Sequence, residues 1–443
     1  MQTPKEPEHL AQLRAAALEA ARRYAEAAFQ PADSFTPGET PVAMGNRGVG
    51  VTEIGNAVDA VLDGWLTEGR WAKEFREMLP KATGRPANFA VGSGSQANLL
   101  AISALRSHLI DDPLKPGDEV ITPAVGFPTT VNPIYQQGLV PVYVDVEVDT
   151  LNPTVEMLEA AIGPKTKAIV AAHCLGNPFD ATAVEQLCAD RGLHLIEDCC
   201  DALGSTYDGR LVGTFGKAST YSFYPAHHMT TGEGGAVATE DPGWTRAVAS
   251  LREWGRDCYC PPGVNNACGH RFEGQFGNMP EGYDHKYVFS HVGFNFKITD
   301  MQAAIGLAQL DKVEGYHAAR RATFKLIDSA MRDLEDRLVL PRVLPGADPS
   351  WFGYPFTLRD GDSSARRDLQ VFLEGRAIDS RLLLAGNMTR QPAYLPLEHR
   401  ISGSLEGADL VTDGSVWVGC HPGLTQPMID WLVESIHDFF AGR

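Results

Sequence analysis

The sequence predicts an α/β protein: a large domain with a mostly parallel sheet between helices, followed by a smaller C-terminal α+β domain. Three observations carry this. Between about residues 85 and 240, short apolar runs alternate with helix-like stretches, the rhythm of a parallel sheet covered on both faces. The stretch 252–295 breaks that rhythm with Gly, Pro, Asn, Cys and aromatic residues. The residues beyond about 335 mix short strand-like and helical patterns and end in a helix.

Taken in order, the N-terminal segment has charges throughout and no continuous apolar core, so it is not read as a signal peptide. Leu10, Leu13, Ala17, Ala21 and Tyr24 recur at helical spacing and predict an amphipathic helix laid on the body. Strands are expected at Asn88–Val91, Glu119–Thr122, Val140–Val144, Ala168–Ala172, His194–Glu197, Ser219–Phe223 and Gly235–Thr239. Helices are expected at Gln96–Leu105, Thr154–Ala161 and Ala183–Arg191, then Thr299–Val313 and a long charged helix to about 334. The domain boundaries follow: an N-terminal helix and arm over 1–50, a large domain over 51–315 with the Cys-rich loop inserted, and a small domain over 316–443.

Lys plus Arg number 38 and Asp plus Glu 56, a formal charge of −18. That balance argues against a nucleic-acid partner, which needs clustered cations. No segment approaches the roughly 20 apolar residues of a membrane helix. A cytoplasmic protein is expected, so the eight cysteines are not read as disulfides.

Ligands of a parallel sheet sit beyond the carboxyl ends of its strands. Three such ends carry polar chemistry. LIEDCCDALGS (195–205) ends a strand in Asp198, which could reach into a crevice or cap a helix. TYSFYPAHHMTTGEGGAV (220–237) places Ser222, then His227 and His228, before a Gly-rich return. VGSGSQANLLAISAL (91–105) runs a strand through a Gly/Ser turn into a helix, an arrangement that holds a phosphate on backbone N–H groups.

Together these stretches resemble the sugar-aminotransferase branch of the aspartate aminotransferase (fold type I) superfamily, from about residue 50 onward. The resemblance implies pyridoxal-phosphate chemistry on nucleotide-linked keto sugars. Asp198 falls where an aspartate pairs with the pyridinium nitrogen, and Gly94, Ser95 and Ser222 fall at the phosphate. Phe127 falls where an aromatic covers the pyridine ring. Asn295, in GFNFKITDMQAAIG, matches an asparagine that reaches the phosphate of a neighbouring subunit, which implies a homodimer with shared sites.

One departure matters. The family's Schiff-base lysine follows the serine by five residues, and that position is His227 here. An imidazole cannot hold the cofactor covalently, but it can exchange protons near neutral pH. The expected cofactor is therefore pyridoxamine 5'-phosphate (PMP), bound without a covalent link, with His227 as the catalytic base. His228 is expected to be structural or to support the site from behind His227.

Cys258, Cys260 and Cys268 form C-x-C-x7-C in the irregular loop, and Cys200 lies two residues past Asp198. Four thiolates fit a [2Fe–2S] cluster or a zinc ion, and composition alone leaves both open. The other four cysteines are expected to pack as small hydrophobes. C-x57-C-x-C-x7-C together with SFYPAHH resembles the CDP-4-dehydro-6-deoxyglucose 3-dehydrase family. Those enzymes are iron–sulfur, PMP-dependent 3-dehydrases of deoxysugar biosynthesis, serving surface polysaccharides and antibiotics.

The resemblance implies C3 deoxygenation of a CDP- or dTDP-linked 4-keto-6-deoxyhexose. The PMP amine condenses with the C4 ketone, His227 removes a C4′ proton, and the C3 hydroxyl leaves. Two electrons then arrive through the [2Fe–2S] cluster from an NAD(P)H-dependent flavin/iron–sulfur reductase or from a ferredoxin or flavodoxin. The alternatives are a cluster-free 3-dehydratase or an aminotransferase, either regenerating its amine from glutamate. For the substrate's diphosphate the candidate counter-charges are Arg252, Arg256, Arg271, Arg381 and Arg390, with Arg390 favoured and His421 weaker.

Overall fold

A computed structural model describes residues 7–29, 34–45, 48–260 and 264–442. An eight-stranded sheet forms the centre, ordered Ala87–Val91, Gly235–Thr239, Ala218–Ser222, His194–Asp198, Thr166–Ala172, Glu119–Pro123, Val140–Val144 and Arg400–Ser402. Gly235–Thr239 runs antiparallel to both neighbours, and the remaining pairings are parallel. Seven of these strands coincide with the sequence expectation to within a residue or two. Strands buried on both faces read as unbroken apolar runs, which is why they are legible. The carboxyl ends of Ala87–Val91, Glu119–Pro123, His194–Asp198 and Ala218–Ser222 lie along one edge, where ligands bind in this architecture.

Residues beyond the long helix Val313–Met331 build a four-stranded antiparallel sheet of Leu338–Val339, Gly353–Leu358, Ser415–Gly419 and Ser380–Leu382. Helices Ser363–Glu374 and Gln426–Ala441 cover it. Its core takes in Val42 from the N-terminal arm, which pairs with Ile378. The boundary expected near 316 is crossed by several other ties. Arg400–Ser402 adds an edge strand to the large sheet, and Ala347–Asp348 pairs with Thr206–Tyr207. Arg320, fully enclosed, donates from Nη1 to the carbonyls of Trp351, Phe352 and Cys420, and from Nη2 to those of Ala226 and His227. One guanidinium thus pins the 225–228 turn to the small sheet.

The N-terminal helix Glu8–Ala28 packs on Val51–Leu62, but not by the stripe the periodicity selects. Leu10, Leu13 and Tyr24 are exposed, at 42%, 65% and 70%, and only Ala25 is fully buried. Arg14 sets this rotation by reaching Asp59 and Asp63. Among the described residues no helix is long and apolar enough to cross a membrane.

Candidate cofactor site

Asp198 is buried at the end of its strand and fully engaged. Its Oδ2 accepts from Asn98 Nδ2 at 2.8 Å and Thr130 Oγ1 at 2.7 Å, and its Oδ1 accepts from the Cys200 N–H at 3.1 Å. Thr220 Oγ1 donates to Asn98 at 2.5 Å and stands 3.4 Å from Asp198 Oδ1. Asn98, Thr130 and Thr220 went unread in the sequence, although Asn98 lies one helical turn past the Gly/Ser turn.

That turn opens the helix Gly94–Ala104. Ser93 caps it, accepting from the Gln96 N–H at 3.1 Å, while Gln96 Oε1 accepts from the Gly92 N–H at 2.8 Å. The N–H groups of Gly94 and Ser95 are at the free end of the helix, where the dipole favours an anion. Gly94 lets this turn pack directly against Ser222 and Cys200. A Cβ there would lie 2.5 Å from Ser222 Cβ, 2.9 Å from its Oγ and 3.2 Å from Cys200 Sγ. Gly94→Ala is therefore expected to cost about 1–3 kcal/mol of stability. It should also release PMP during dialysis that the unaltered protein withstands, as read by absorbance and thermal melting.

His227 sits on the turn after Ser222. Its Nε2 is 3.3 Å from Asp201 Oδ1, and its ring lies 4.9 Å from that of Phe352. Nδ1 is enclosed with no protein partner. Asp201 also went unread; its place beside the paired cysteines of IEDCCDA was the available signal. Phe127 is 52% exposed at the start of helix Pro128–Gln136, free to cover a ring bound over Asp198. His228 is buried, with its Nε2 2.7 Å from the Ser350 carbonyl. Asn295 is exposed, and its backbone pairs with Glu253.

The cysteines divide into groups. Cys174, Cys188, Cys199 and Cys420 are buried, as expected of packing residues. Cys258, Cys260 and Cys268 line one small cleft with Asn266, Arg271, His285 and Lys286. Backbone N–H groups point at the sulfurs: Cys260 to Cys258 at 3.4 Å, Ala267 to Cys260 at 3.3 Å and His270 to Cys268 at 3.4 Å. Burial opposes ionisation of Cys260, but the Ala267 N–H and the Cys258 thiol outweigh it and hold that thiol below its ordinary value. Cys200 is not in this cleft. It lies against Gly94, and burial followed by the Asp198 charge holds its thiol well above the usual range. Three of the four expected metal ligands thus line one cleft and Cys200 lies against Gly94, whereas the side chains whose ligand atoms converge within 4.8 Å among the described residues are His173, Glu197 and Cys199.

The two substrate candidates, Arg390 and His421, both have partners within the protein. Arg390 is neutralised by the helix Glu406–Gly414, with Nη1 at 3.1 Å from Asp409 and Nη2 at 3.0 Å from Asp413. His421 is buried with both nitrogens engaged, Nε2 at 2.9 Å from the Ala43 carbonyl and Nδ1 accepting from the Gly423 N–H at 3.1 Å. Of the other arginines, Arg252 is held by Glu68 and the Ala90 carbonyl, and Arg271 grips Asp284 with two donors. Arg381 is exposed and only 4.0 Å from Asp379.

Residues 50–437 match the DegT/DnrJ/EryC1/StrS aminotransferase family. The lipopolysaccharide biosynthesis protein RfbH of Salmonella typhimurium is 47% identical over 420 residues, 95% of this chain and 96% of that protein. The dTDP-4-dehydro-2,6-dideoxy-D-glucose 3-dehydratase of Saccharopolyspora spinosa is 47% identical over 413 residues, 93% of this chain and 89% of that one. A solved structure of E. coli GDP-4-keto-6-deoxy-D-mannose-3-dehydratase with bound hydrated PLP has a TM-score of 0.80 at 27% identity. It covers 89% of this chain and 98% of that one.

The residues present here fit a phosphorylated pyridine cofactor. The free helix end at Gly94 and Ser95 can take a phosphate beside Ser222, Asp198 is a buried carboxylate held by Asn98 and Thr130, and Nδ1 of His227 lacks a protein partner. The chain belongs to the DegT/DnrJ/EryC1/StrS aminotransferase family and has the fold of the pyridoxal-phosphate-dependent fold type I enzymes.

Proposed function

We propose that this chain is a PMP-dependent nucleotide-sugar 3-dehydratase, removing the C3 hydroxyl of a nucleotide-linked 4-keto-6-deoxyhexose. The observation that carries the reading is His227, in place of lysine, on the turn after Ser222 and facing Asp201. Two relatives named above as 3-dehydratases support it.

Bound at this site, PMP supplies an amine for the substrate ketone and a pyridinium that can take up an electron pair. Asp198 holds the proton on that ring nitrogen, and its own geometry is fixed by Asn98, Thr130 and the Cys200 N–H. Gly94, Ser95 and Ser222 hold the phosphate, and Phe127 shields the ring from water. His227 takes the proton from C4′, and Asp201 stabilises the imidazolium that results. Asn295 reaches into the site of a second copy, so the working unit is a homodimer.

Completing the deoxygenation needs two electrons. Cys258, Cys260 and Cys268 are proposed to hold a [2Fe–2S] cluster with Cys200 as the fourth ligand, fed by a partner reductase or a ferredoxin or flavodoxin. With Cys200 against Gly94, this would put the cluster beside the cofactor. One observation favours a second reading, the cluster-free dehydratase that regenerates its amine from glutamate: Cys200 stands apart from the loop cleft.

Iron content and EPR of dithionite-reduced protein separate the two. About two irons per chain with a half-spin signal, lost in Cys200→Ser and Cys258→Ser, is the expected result. Iron-free protein after anaerobic reconstitution, with turnover that depends on glutamate, would overturn the electron relay and leave the role of His227 intact.

A further inference from the structure

A carboxylate offers about four acceptor sites, two on each oxygen. In Asp198 they are filled unequally. Asn98 Nδ2 at 2.8 Å and Thr130 Oγ1 at 2.7 Å take both sites of Oδ2. The Cys200 N–H at 3.1 Å takes one site of Oδ1. Thr220 Oγ1 is 3.4 Å from Oδ1, but its single proton goes to the amide oxygen of Asn98, at 2.5 Å. The remaining neighbour, the Cys200 thiol, is a weak donor. One site of Oδ1 is therefore left for a stronger donor than this chain supplies.

The three side chains come from separate elements, and all are buried. Asn98 lies one turn into the helix Gly94–Ala104, and Thr130 lies in the first turn of the helix Pro128–Gln136. Thr220 is the direct partner of Asp198 on the neighbouring strand. By shape alone the Asn98 amide fits either way round. The Thr220 hydroxyl on its oxygen and the Asp198 carboxylate on its nitrogen select one orientation. Asn98 in turn keeps the Thr220 proton away from Asp198 Oδ1, its next acceptor. Thr130 has a second tie, because its N–H donates to the Phe127 carbonyl at 3.1 Å. The turn that fastens Oδ2 is thus the turn that carries the exposed aromatic ring.

We propose that Thr130, Asn98 and Thr220 are positioning residues that reserve Asp198 Oδ1 for the ring N–H of the cofactor. Two donors on Oδ2 hold the carboxylate against rotation, and Asn98 occupies the hydroxyl that would otherwise close Oδ1. The ring N–H completes the fourth site as a charge-assisted hydrogen bond. The inference rests on the pyridine-cofactor reading above.

Calorimetric titration tests it, on protein cleared of cofactor with excess inorganic phosphate. The ligands are PMP and an analogue whose ring nitrogen is replaced by C–H. Thr130→Val keeps the shape and loses the donor. It is expected to weaken PMP binding at least about 10-fold, the scale of a hydrogen bond to a charged group, and analogue binding by less than about 3-fold. Asn98→Leu should weaken PMP further, because it also releases the Thr220 hydroxyl toward Oδ1. Thr130→Ser keeps the hydroxyl and should stay within about 3-fold of the unaltered protein. Far-UV circular dichroism confirms folding. Equal losses for PMP and the analogue would make these residues merely structural and overturn the proposal, as would unchanged PMP affinity in Thr130→Val. Unaltered protein that holds PMP no more tightly than the analogue would also overturn it. If the unaltered protein binds neither ligand, the cofactor reading itself fails.

Discussion

Replacing His227 by asparagine is expected to lower turnover between about 10²- and 10⁴-fold while leaving PMP bound, the range for loss of a positioned general base. The midpoint of that range is about 4 kcal/mol of barrier. The amide matches the imidazole in size but cannot take a proton. The turn itself is held elsewhere: Arg320 grips the Ala226 and His227 carbonyls, not the ring. A fall in turnover with unchanged PMP content therefore isolates the proton transfer. Wash-in of solvent deuterium at C4′, followed by mass spectrometry, reads the same step without product formation. Asp201→Asn should give a smaller loss, since it removes the charge 3.3 Å from Nε2 but leaves the base. Full turnover in His227→Asn would remove the residue from the chemistry.

Acid is expected to unfold the protein early, with stability falling from about pH 6.5 downward. Burial, with Arg321 and Arg320 adding, pushes His317 down to about 3. Burial pushes His421 down to about 4, and burial followed by the Arg320 charge holds His228 well below the usual imidazole range. All three lie where the 225–228 turn meets the small sheet: His228 and His317 both reach Ser350, and His421 reaches Ala43.

Above pH 6.5 these rings are neutral in both folded and unfolded chains and contribute nothing to the pH dependence. Below it the unfolded chain binds protons that the fold refuses, until the folded value is reached near pH 4 for His421 and pH 3 for His317. Each ring removes roughly 1.4 kcal/mol per pH unit within its window. Thermal melting at pH 7.5, 6.0 and 5.0 measures the slope, and His317→Gln should flatten it. A transition temperature that is level from pH 7.5 to 5.0 would contradict this account.

The central sheet was legible because its strands are apolar on both faces and end in Gly or polar turns. Arg400–Ser402 was not, since three residues with a half-exposed isoleucine become a strand only through their partner, Val142–Val144. The N-terminal stripe shows a different limit. Spacing reveals which residues share a face, not which face is turned inward, and Arg14 decided that through carboxylates 45 and 49 positions away. Within the site, Asp198 and Ser222 could be read from strand ends. The groups that fix Asp198 come from three separate elements, so no local pattern joins them. The partners of Arg390 and His421 are likewise supplied by distant segments, so no local pattern shows them.

The edge strand at Arg400–Ser402 bears on how the chain is made. Arg400 also bonds Glu119, 281 positions earlier. At roughly 5–20 residues per second, the ribosome needs on the order of tens of seconds to travel from one to the other. Throughout that interval Val140–Val144 is an apolar outer strand with an unfilled row of amides and carbonyls, the surface on which nascent chains pair wrongly. Synthesis halted before residue 400 leaves that edge open for good, so truncated products of this chain should be strong clients for chaperones that hold exposed strands.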